Sequence, residues 1–160
     1  MNIPAHHLAF WQAFAGTQAV DPTPRFLEAF YFDDNEPSAD ELAALVLQGR
    51  KCATAGLLWA YESEAKPLAK AGDLSIVTNF RGEPLCVIET QRVDTVPFNE
   101  VSAEFAATEG EGDGSLAYWR RAHDAFFGRE CQRLGREPAA DMPVVCERFQ
   151  VVYRSGAAAA

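Results

Sequence analysis

Residues 38–54 read Ser-Ala-Asp-Glu-Leu-Ala-Ala-Leu-Val-Leu-Gln-Gly-Arg-Lys-Cys-Ala-Thr, and this stretch contains the clearest change from helix to strand in the chain. Ser38 and the glutamate three residues later form a capping box, which predicts a helix over about residues 39–48. Gly49 stands where a left-handed residue ends a helix, and a strand-like composition follows it. The stretch therefore predicts a helix that leads directly into a strand, with Lys51 at the junction.

The segments on either side of this stretch predict further helices and short strands. Residues 4–17 have the apolar spacing of a helix, and Ser115 begins a helix of about 20 residues. Alternate glycines exclude regular structure from residues 109–114. About five short strands among helices predict an α+β fold with a mainly antiparallel or mixed sheet, which we expect to curl into a barrel. Four of the strands have predicted bounds, which are Ala53–Tyr61, Leu74–Asn79, Pro84–Val93 and Val144–Tyr153, and a short helix is predicted at Phe98–Thr108.

Composition indicates a globular protein. The chain has 160 residues, of which 48% are hydrophobic and 23% are charged. We expect one domain at residues 1–154 and a disordered tail at residues 155–160. No apolar run approaches the ~20 residues that span a bilayer, and no signal peptide is evident, so no membrane association is expected. Four cysteines without a CxxC pair predict reduced thiols and a cytoplasmic location.

The excess of acidic over basic residues indicates which class of ligand the protein can bind. The formal net charge is −9, and the pI is about 4.8. A long polyanion such as RNA is repelled by such a chain unless positive charge is concentrated locally, because nucleic-acid binding depends on Lys and Arg. A small neutral substrate meets no such penalty and is favoured.

Lys51 and Thr54 are the first candidate catalytic pair. A threonine hydroxyl needs a neighbouring base to act as a nucleophile, and a buried lysine can serve if desolvation lowers its pKa towards neutrality. On a regular strand, residues three positions apart face opposite sides, so the pair requires a bend after the preceding helix. The alternative is a surface lysine beside an ordinary strand threonine.

The acidic loop that contains Glu109, Glu111 and Asp113 is the second candidate. Clustered carboxylates separated by glycines can supply a general acid or base, a metal ligand or a group with a raised pKa. The spacing does not match a calcium loop, and no metal or cofactor is predicted. The alternative is an acidic turn that caps the next helix, a role for which Asp113 or Ser115 is placed.

The long helix that follows contributes aromatic and basic residues. Trp119 can stack on a base or belong to the core, and His123 on the same apolar stripe can be a catalyst or a hydrogen-bonded core residue. Arginines follow the outer face of this helix, where they are solvated, paired with acids or available to a phosphate backbone. They are Arg120, Arg121, Arg129, Arg133 and Arg136.

Together these residues resemble the ASCH family, a branch of the PUA-like superfamily. The family's G-x-K-x-x-[ST] signature is similar to Gly49-Arg-Lys-Cys-Ala-Thr54. A second block is similar to Glu109-Gly-Glu-Gly-Asp113, and it is followed by Trp119 and His123 in the expected order. The resemblance covers about residues 28–153, and the two blocks together make it specific.

The resemblance implies a small mixed β-barrel of five to six strands with flanking helices, and it implies two activities. Some small bacterial members are amidohydrolases that remove the acyl group from N4-acetylcytidine and related N4-acylated cytosines. Their Thr-Lys-Glu triad carries over to Thr54, Lys51 and Glu109. Lys51 would then act as the base for Thr54, and Glu109 would orient Lys51 or handle the proton of the departing amine. Other members are described as ribonucleases, and the wider superfamily binds RNA.

The resemblance also implies the partners. A nucleoside is the expected small-molecule substrate, RNA is the alternative partner, and the oligomeric state stays open. Gly56 stands where the amidohydrolases tend to have an arginine, which is a departure in the substrate site. The residues expected to contact substrate are Arg50, Glu111, Asp113, Ser115, Trp119 and His123.

Overall fold

The computed structural model describes residues 2–154, so the predicted tail at residues 155–160 lies outside the described residues. None of the helices described is long and apolar enough to cross a lipid bilayer. The strands are β1 (Phe26–Phe30), β2 (Ala53–Leu57), β3 (Leu74–Thr78), β4 (Pro84–Pro97) and β5 (Pro143–Arg154). The helices are α1 (Leu8–Ala15), α2 (Glu36–Leu47), α3 (Leu58–Ser63), α4 (Ala103–Glu109) and α5 (Leu116–Leu134). Short 3-10 helices lie at Ala5–His7, Thr23–Arg25 and Phe98–Glu100.

The five strands form one mixed sheet in the order β1-β3-β4-β5-β2. β1 pairs with β3 in parallel, and the other three ladders are antiparallel. Within residues 2–154 no ladder joins β1 to β2, but both of these edge strands line one cavity of about 720 Å³. The sheet therefore curls until its two edges face each other across this cavity. This confirms the predicted α+β fold with a small, barrel-like mixed sheet.

Helix α2 begins earlier than the capping box predicts. Its N-cap is Asn35, whose side-chain oxygen accepts a hydrogen bond from the backbone N–H of Ser38 at 3.0 Å. Pro37 lies in the first turn, where its missing N–H costs nothing and its fixed φ favours the helix. The predicted cap at Ser38 is therefore wrong, and the serine hydroxyl donates to Asp33 instead. The predicted end is confirmed, since Gly49 follows α2 with a φ of 78°.

The predicted strand Ala53–Tyr61 is too long, because β2 ends at Leu57 and α3 follows immediately. A short apolar run fits a buried strand and a buried helix equally well, so periodicity alone does not separate them. The sequence pattern also misses β1 and ends β4 at Val93, four residues before its end at Pro97.

Helix α5 lies where the sequence predicts it. The hydroxyl oxygen of Ser115 accepts a hydrogen bond from the backbone N–H of Tyr118 at 3.1 Å, which caps the first turn. The apolar face of α5 contributes Trp119 and Phe127 to the core cluster that also contains Ala53 of β2. This packing fixes the start of β2 against the helix.

Candidate active site

The end of α2 turns the side chain of Lys51 into the protein interior. The backbone N–H groups of Arg50 and Lys51 both donate to the carbonyl oxygen of Leu45, at 2.9 and 3.1 Å. The chain thus folds back over the last turn of the helix, which supplies the bend that a Lys51–Thr54 pair requires. Lys51 is 1% exposed, whereas the neighbouring Arg50 is exposed to solvent.

A glycine contact brings the acidic loop against this bend. Gly110 follows α4 with a φ of 67°, and a Cβ atom at this position would lie 2.1 Å from the carbonyl oxygen of Arg50. The backbone N–H of Cys52 also donates to the end of α4 at 2.9 Å. Only glycine permits this close approach, and it places the two glutamates that flank Gly110 around Lys51.

The ammonium group of Lys51 uses all three of its N–H bonds. Its Nζ lies 2.7 Å from the carbonyl oxygen of Ala53, 2.7 Å from Oε2 of Glu109 and 2.8 Å from Oε2 of Glu111. The Glu109 side chain is 1% exposed and that of Glu111 is 14% exposed. Among the described residues, no hydrogen bond joins Nζ to the hydroxyl of Thr54. An ammonium has no lone pair, so Lys51 in this state cannot accept a proton.

Groups from α5 hold Glu109 from the other side. Its Oε1 accepts a hydrogen bond from Nε1 of Trp119 at 2.8 Å and lies 3.3 Å from Nε2 of His123. Nδ1 of His123 lies 2.9 Å from the carbonyl oxygen of Trp119. Both ring nitrogens thus face oxygen acceptors, an arrangement that favours the doubly protonated, positively charged imidazole. Trp119 is buried, and its ring stacks on His123 with the ring centroids 4.1 Å apart. It therefore positions Glu109 through its N–H group and has no face open to a nucleobase.

The charges around Lys51 keep it protonated. Burial disfavours the ammonium, but the adjacent carboxylates of Glu109 and Glu111 outweigh burial and raise the pKa of Lys51 above its ordinary value. The condition that the sequence analysis sets for a base role, a pKa of Lys51 lowered towards neutrality, is therefore not met. Burial also opposes the ionisation of Glu109, but Lys51 and His123 hold the pKa of Glu109 well below its usual range.

Glu111 is the member of the cluster that titrates near neutrality. Burial raises its pKa to about 7, against the attraction of Lys51 and with the help of the neighbouring Glu109. For His123, burial is outweighed by Glu109, and the pKa of the imidazole is raised. The cluster thus combines one carboxylate that stays ionised with one carboxyl group that can exchange a proton at neutral pH.

A small recess opens from this cluster, and a larger cavity adjoins the recess at Thr54. A recess of about 70 Å³ is lined by Lys51, Glu109, Glu111, His123 and Thr54, among others. Thr54 also lines the cavity of about 720 Å³ between β1 and β2, so it lies at the boundary of the two. The larger volume is in the range of small-molecule sites. The structure therefore brings five of the predicted site residues together around one recess.

The other predicted contacts lie outside both cavities. Asp113 is exposed, and its Oδ1 accepts a hydrogen bond from the backbone N–H of Ser115 at 2.9 Å. Ser115 caps α5, so this pair has the capping role that the sequence left as an alternative. Arg50 is exposed and lines neither cavity, and Trp119 is buried where it donates to Glu109.

The larger cavity contains residues that the sequence pattern does not single out. Glu147 lines it from β5, Glu28 lines it from β1, and Tyr61 lines it from α3. A Cβ atom at Gly56 would lie 3.0 Å from the ring of Tyr61, so this ring fills the space beside Gly56, where the resemblance would place an arginine. These side chains come from distant segments, and only knowledge of the strand register could have brought them together in advance.

The recess also has the spacing of a cation site. Ligand atoms of Glu109, Glu111 and His123 lie within 4.8 Å of one another. Lys51 already donates to both carboxylates, and Trp119 and His123 take up the second oxygen of Glu109. The protein's own cations therefore satisfy this donor set, and a bound metal ion would have to displace Lys51.

Comparison with known proteins identifies close structural relatives. The sequence profile of the ASCH domain matches residues 28–153. The crystal structure of an ASCH domain from Lactobacillus crispatus JV V101 has a TM-score of 0.89 and 38% identity, covering 96% of this chain and 98% of that chain. A protein from Enterococcus faecalis V583 has a TM-score of 0.80 and 33% identity, covering 92% of this chain and 88% of that chain. A hypothetical protein with 15% identity and a TM-score of 0.51 shares the fold alone. No curated protein matches the chain.

Proposed function

The chain belongs to the ASCH domain family, and we propose that it is an amidohydrolase that removes the acyl group from N4-acylated cytosine nucleosides such as N4-acetylcytidine. The observation that carries the proposal is the buried Lys51, held between Glu109 and Glu111 in a recess that Thr54 also lines. This placement supports the Thr-Lys-Glu arrangement that the resemblance to the family's amidohydrolases implies.

In the proposed reaction, Thr54 is the nucleophile. Its hydroxyl oxygen attacks the amide carbonyl of the substrate, and collapse of the tetrahedral intermediate leaves an acyl group on Thr54 and releases the cytosine amine. Water then hydrolyses the acyl-enzyme to a carboxylate and restores the hydroxyl. The half-buried position of Thr54 between the recess and the larger cavity suits both steps, because substrate and water can reach it.

Because Lys51 is protonated, its role in the proposed reaction is electrostatic, and it does not act as the general base. As a buried ammonium, it stabilises the negative charge that develops on the carbonyl oxygen during attack. Glu109 stays ionised and fixes the position of Lys51. Glu111, with a pKa of about 7, is protonated in part of the population at neutral pH and can deliver a proton to the departing amine.

The charge of the larger cavity supports a neutral substrate over RNA. Its lining has more acidic than basic side chains, which disfavours a polyanion. Two arginines of α5 that were candidates for phosphate contacts are engaged with acids, Arg129 with Asp34 at 2.9 Å and Arg133 with Glu130. The charged side chains that line the cavity are Glu28, Asp33, Asp34, Glu64, Lys66, Glu130, Arg133 and Glu147.

The experiment incubates the purified protein with N4-acetylcytidine at neutral pH and follows cytidine by chromatography. Thr54→Ala should abolish turnover, and Thr54→Ser should retain part of it because a hydroxyl remains. Thr95→Ala is the matched control, since Thr95 is an exposed strand threonine of β4 outside both cavities. Absence of cytidine with the unaltered protein rejects the activity, and equal turnover by Thr54→Ala rejects the nucleophile.

RNA binding is tested in parallel, because it is the family's other activity. Binding through phosphates weakens steeply as salt rises. We expect no salt-sensitive shift of short RNAs in a gel, and a shift that disappears between 50 and 200 mM salt would favour RNA as the ligand.

A further inference from the structure

Thr54 has a carboxylate directly across from it in the sheet. Thr54 and Glu147 are opposite each other in the antiparallel ladder between β2 and β5. Side chains of directly opposed residues lie on the same face of a sheet, with Cβ atoms about 4.5–5.5 Å apart. Ala53, on the other face of β2, belongs to the core under α5. Thr54 and Glu147 therefore both face the larger cavity, which both of them line.

A neighbouring strand holds the carboxylate of Glu147 in place. Its Oε2 accepts a hydrogen bond from the hydroxyl of Thr90 on β4 at 2.7 Å. No residue among those described donates a hydrogen bond to Oε1. One oxygen is thus fixed by Thr90, and the other is free to accept a proton.

The surroundings of Glu147 favour its protonated form more than water does. Burial raises its pKa, with smaller contributions from the negative charges of Glu28 and Asp73, while Thr90 and Lys66 act in the opposite direction. Tyr61 lines the same cavity, and burial followed by the charge of Glu147 raises the pKa of its hydroxyl. A carboxylate in such a site is a stronger base than an exposed one.

We infer that Glu147 is the general base that accepts the proton of Thr54 in the proposed hydrolysis, an inference that rests on the proposed function. Lys51 cannot do so, because its ammonium already donates to three acceptors. Glu109 cannot, because both of its oxygens are occupied by Lys51, Trp119 and His123. Glu147 is the carboxylate that the sheet register places beside the nucleophile.

The proton balance of the two steps is complete. In acylation, the proton of Thr54 passes to Glu147, the Oγ–C bond forms, the C–N bond breaks, and Glu111 protonates the departing amine. In deacylation, water attacks the ester and gives a proton to Glu111, and the proton on Glu147 returns to Oγ as the C–O bond breaks. The carboxylic acid product then releases its proton to solvent.

The test compares kcat and KM for N4-acetylcytidine in the unaltered protein, Glu147→Gln and Glu62→Gln. Glu147→Gln keeps the shape and the acceptor for Thr90 but cannot take a proton, so kcat should fall about 10²–10⁴-fold with little change in KM. Glu62→Gln is the matched control, because Glu62 is exposed on α3 outside both cavities. Its kinetics should equal those of the unaltered protein.

A second variant tests the pH dependence of kcat, which would not change if Glu147 had only a structural role. Thr90→Val removes the hydrogen bond that lowers the pKa of Glu147, so the acid limb of the kcat–pH profile should shift to higher pH. This result is informative even if Glu147→Gln fails to fold.

The outcomes separate the two proposals. Turnover by the unaltered protein, with Glu147→Gln within about threefold of it or an acid limb that Thr90→Val leaves in place, overturns the base role alone. No turnover by the unaltered protein overturns both the amidohydrolase activity and the base role.

Discussion

The Nζ of Lys51 lies 2.7 Å from Oε2 of Glu109, and both side chains are 1% exposed. Removing one partner of such a buried pair strongly destabilises the folded protein, because the other charge stays buried without compensation. Lys51 and Glu109 therefore affect the stability of the fold as well as the chemistry of the site.

Removal of the lysine charge should therefore destabilise the fold. We expect Lys51→Met to lower the free energy of unfolding by about 3–5 kcal/mol at pH 7, measured by urea denaturation. The double variant Lys51→Met/Glu109→Gln should recover part of this loss, because no unpaired carboxylate remains. Lys70→Met is the control, since the Lys70 side chain is 82% exposed where it pairs with Asp73, and its loss should cost less than about 1 kcal/mol. Equal losses for Lys51→Met and Lys70→Met would contradict the buried pair.

Glu111 should make stability fall as pH rises towards neutrality. Its pKa is raised to about 7 in the folded state, so between its ordinary value of 4.5 and about 7 the folded state holds a proton that the unfolded state releases. Stability from this group is present at low pH and is lost as pH rises through about 7. Relative to the unaltered protein, Glu111→Gln should gain up to about 3 kcal/mol across this window. Urea denaturation at pH 4.5, 6 and 8 measures the difference, with Glu62→Gln as the control, and a pH-independent difference would contradict the raised pKa.

Gly110 should be intolerant of a side chain for a reason beyond its φ. Gly110 and Gly114 both have positive φ values, 67° and 77°, but a Cβ atom at Gly114 meets nothing within 4 Å. Gly114→Ala should cost about 1–2 kcal/mol from the left-handed backbone alone. Gly110→Ala should cost more and also abolish turnover, because the contact with Arg50 would displace both glutamates from Lys51. Equal stability and activity for the two variants would show that this close approach is unimportant.

Trp119 should stabilise the site through its N–H group. Trp119→Phe keeps an aromatic ring in the core but leaves Oε1 of Glu109 without the donor at 2.8 Å. Loss of a hydrogen bond to a charged group should lower the free energy of unfolding by about 1.5–3 kcal/mol. Trp59→Phe is the control, because Trp59 packs against the same core cluster and contacts Arg136 through its ring. Equal decreases in the free energy of unfolding for the two tryptophan variants would contradict this prediction.

Elements whose signals are local could be predicted from the sequence. Ser115 caps α5 and Gly49 ends α2 because both roles depend on a few neighbouring residues. The predicted start of α2 was wrong because a competing local signal, Asn35 followed by Pro37, outweighs Ser38. The end of β2 was wrong because an apolar run does not distinguish a buried strand from a buried helix.

The sequence by itself determined the fold class, the family and the candidate residues Lys51, Thr54 and Glu109, because motif order and local periodicity are properties of the chain. Only the tertiary structure decided what state these residues are in. Whether burial or neighbouring carboxylates dominate the pKa of Lys51 depends on groups about 60 residues away that Gly110 brings within 3 Å. The placement of Glu147 opposite Thr54 likewise depends on strand register, which is set by packing between distant segments and is not written in either strand alone.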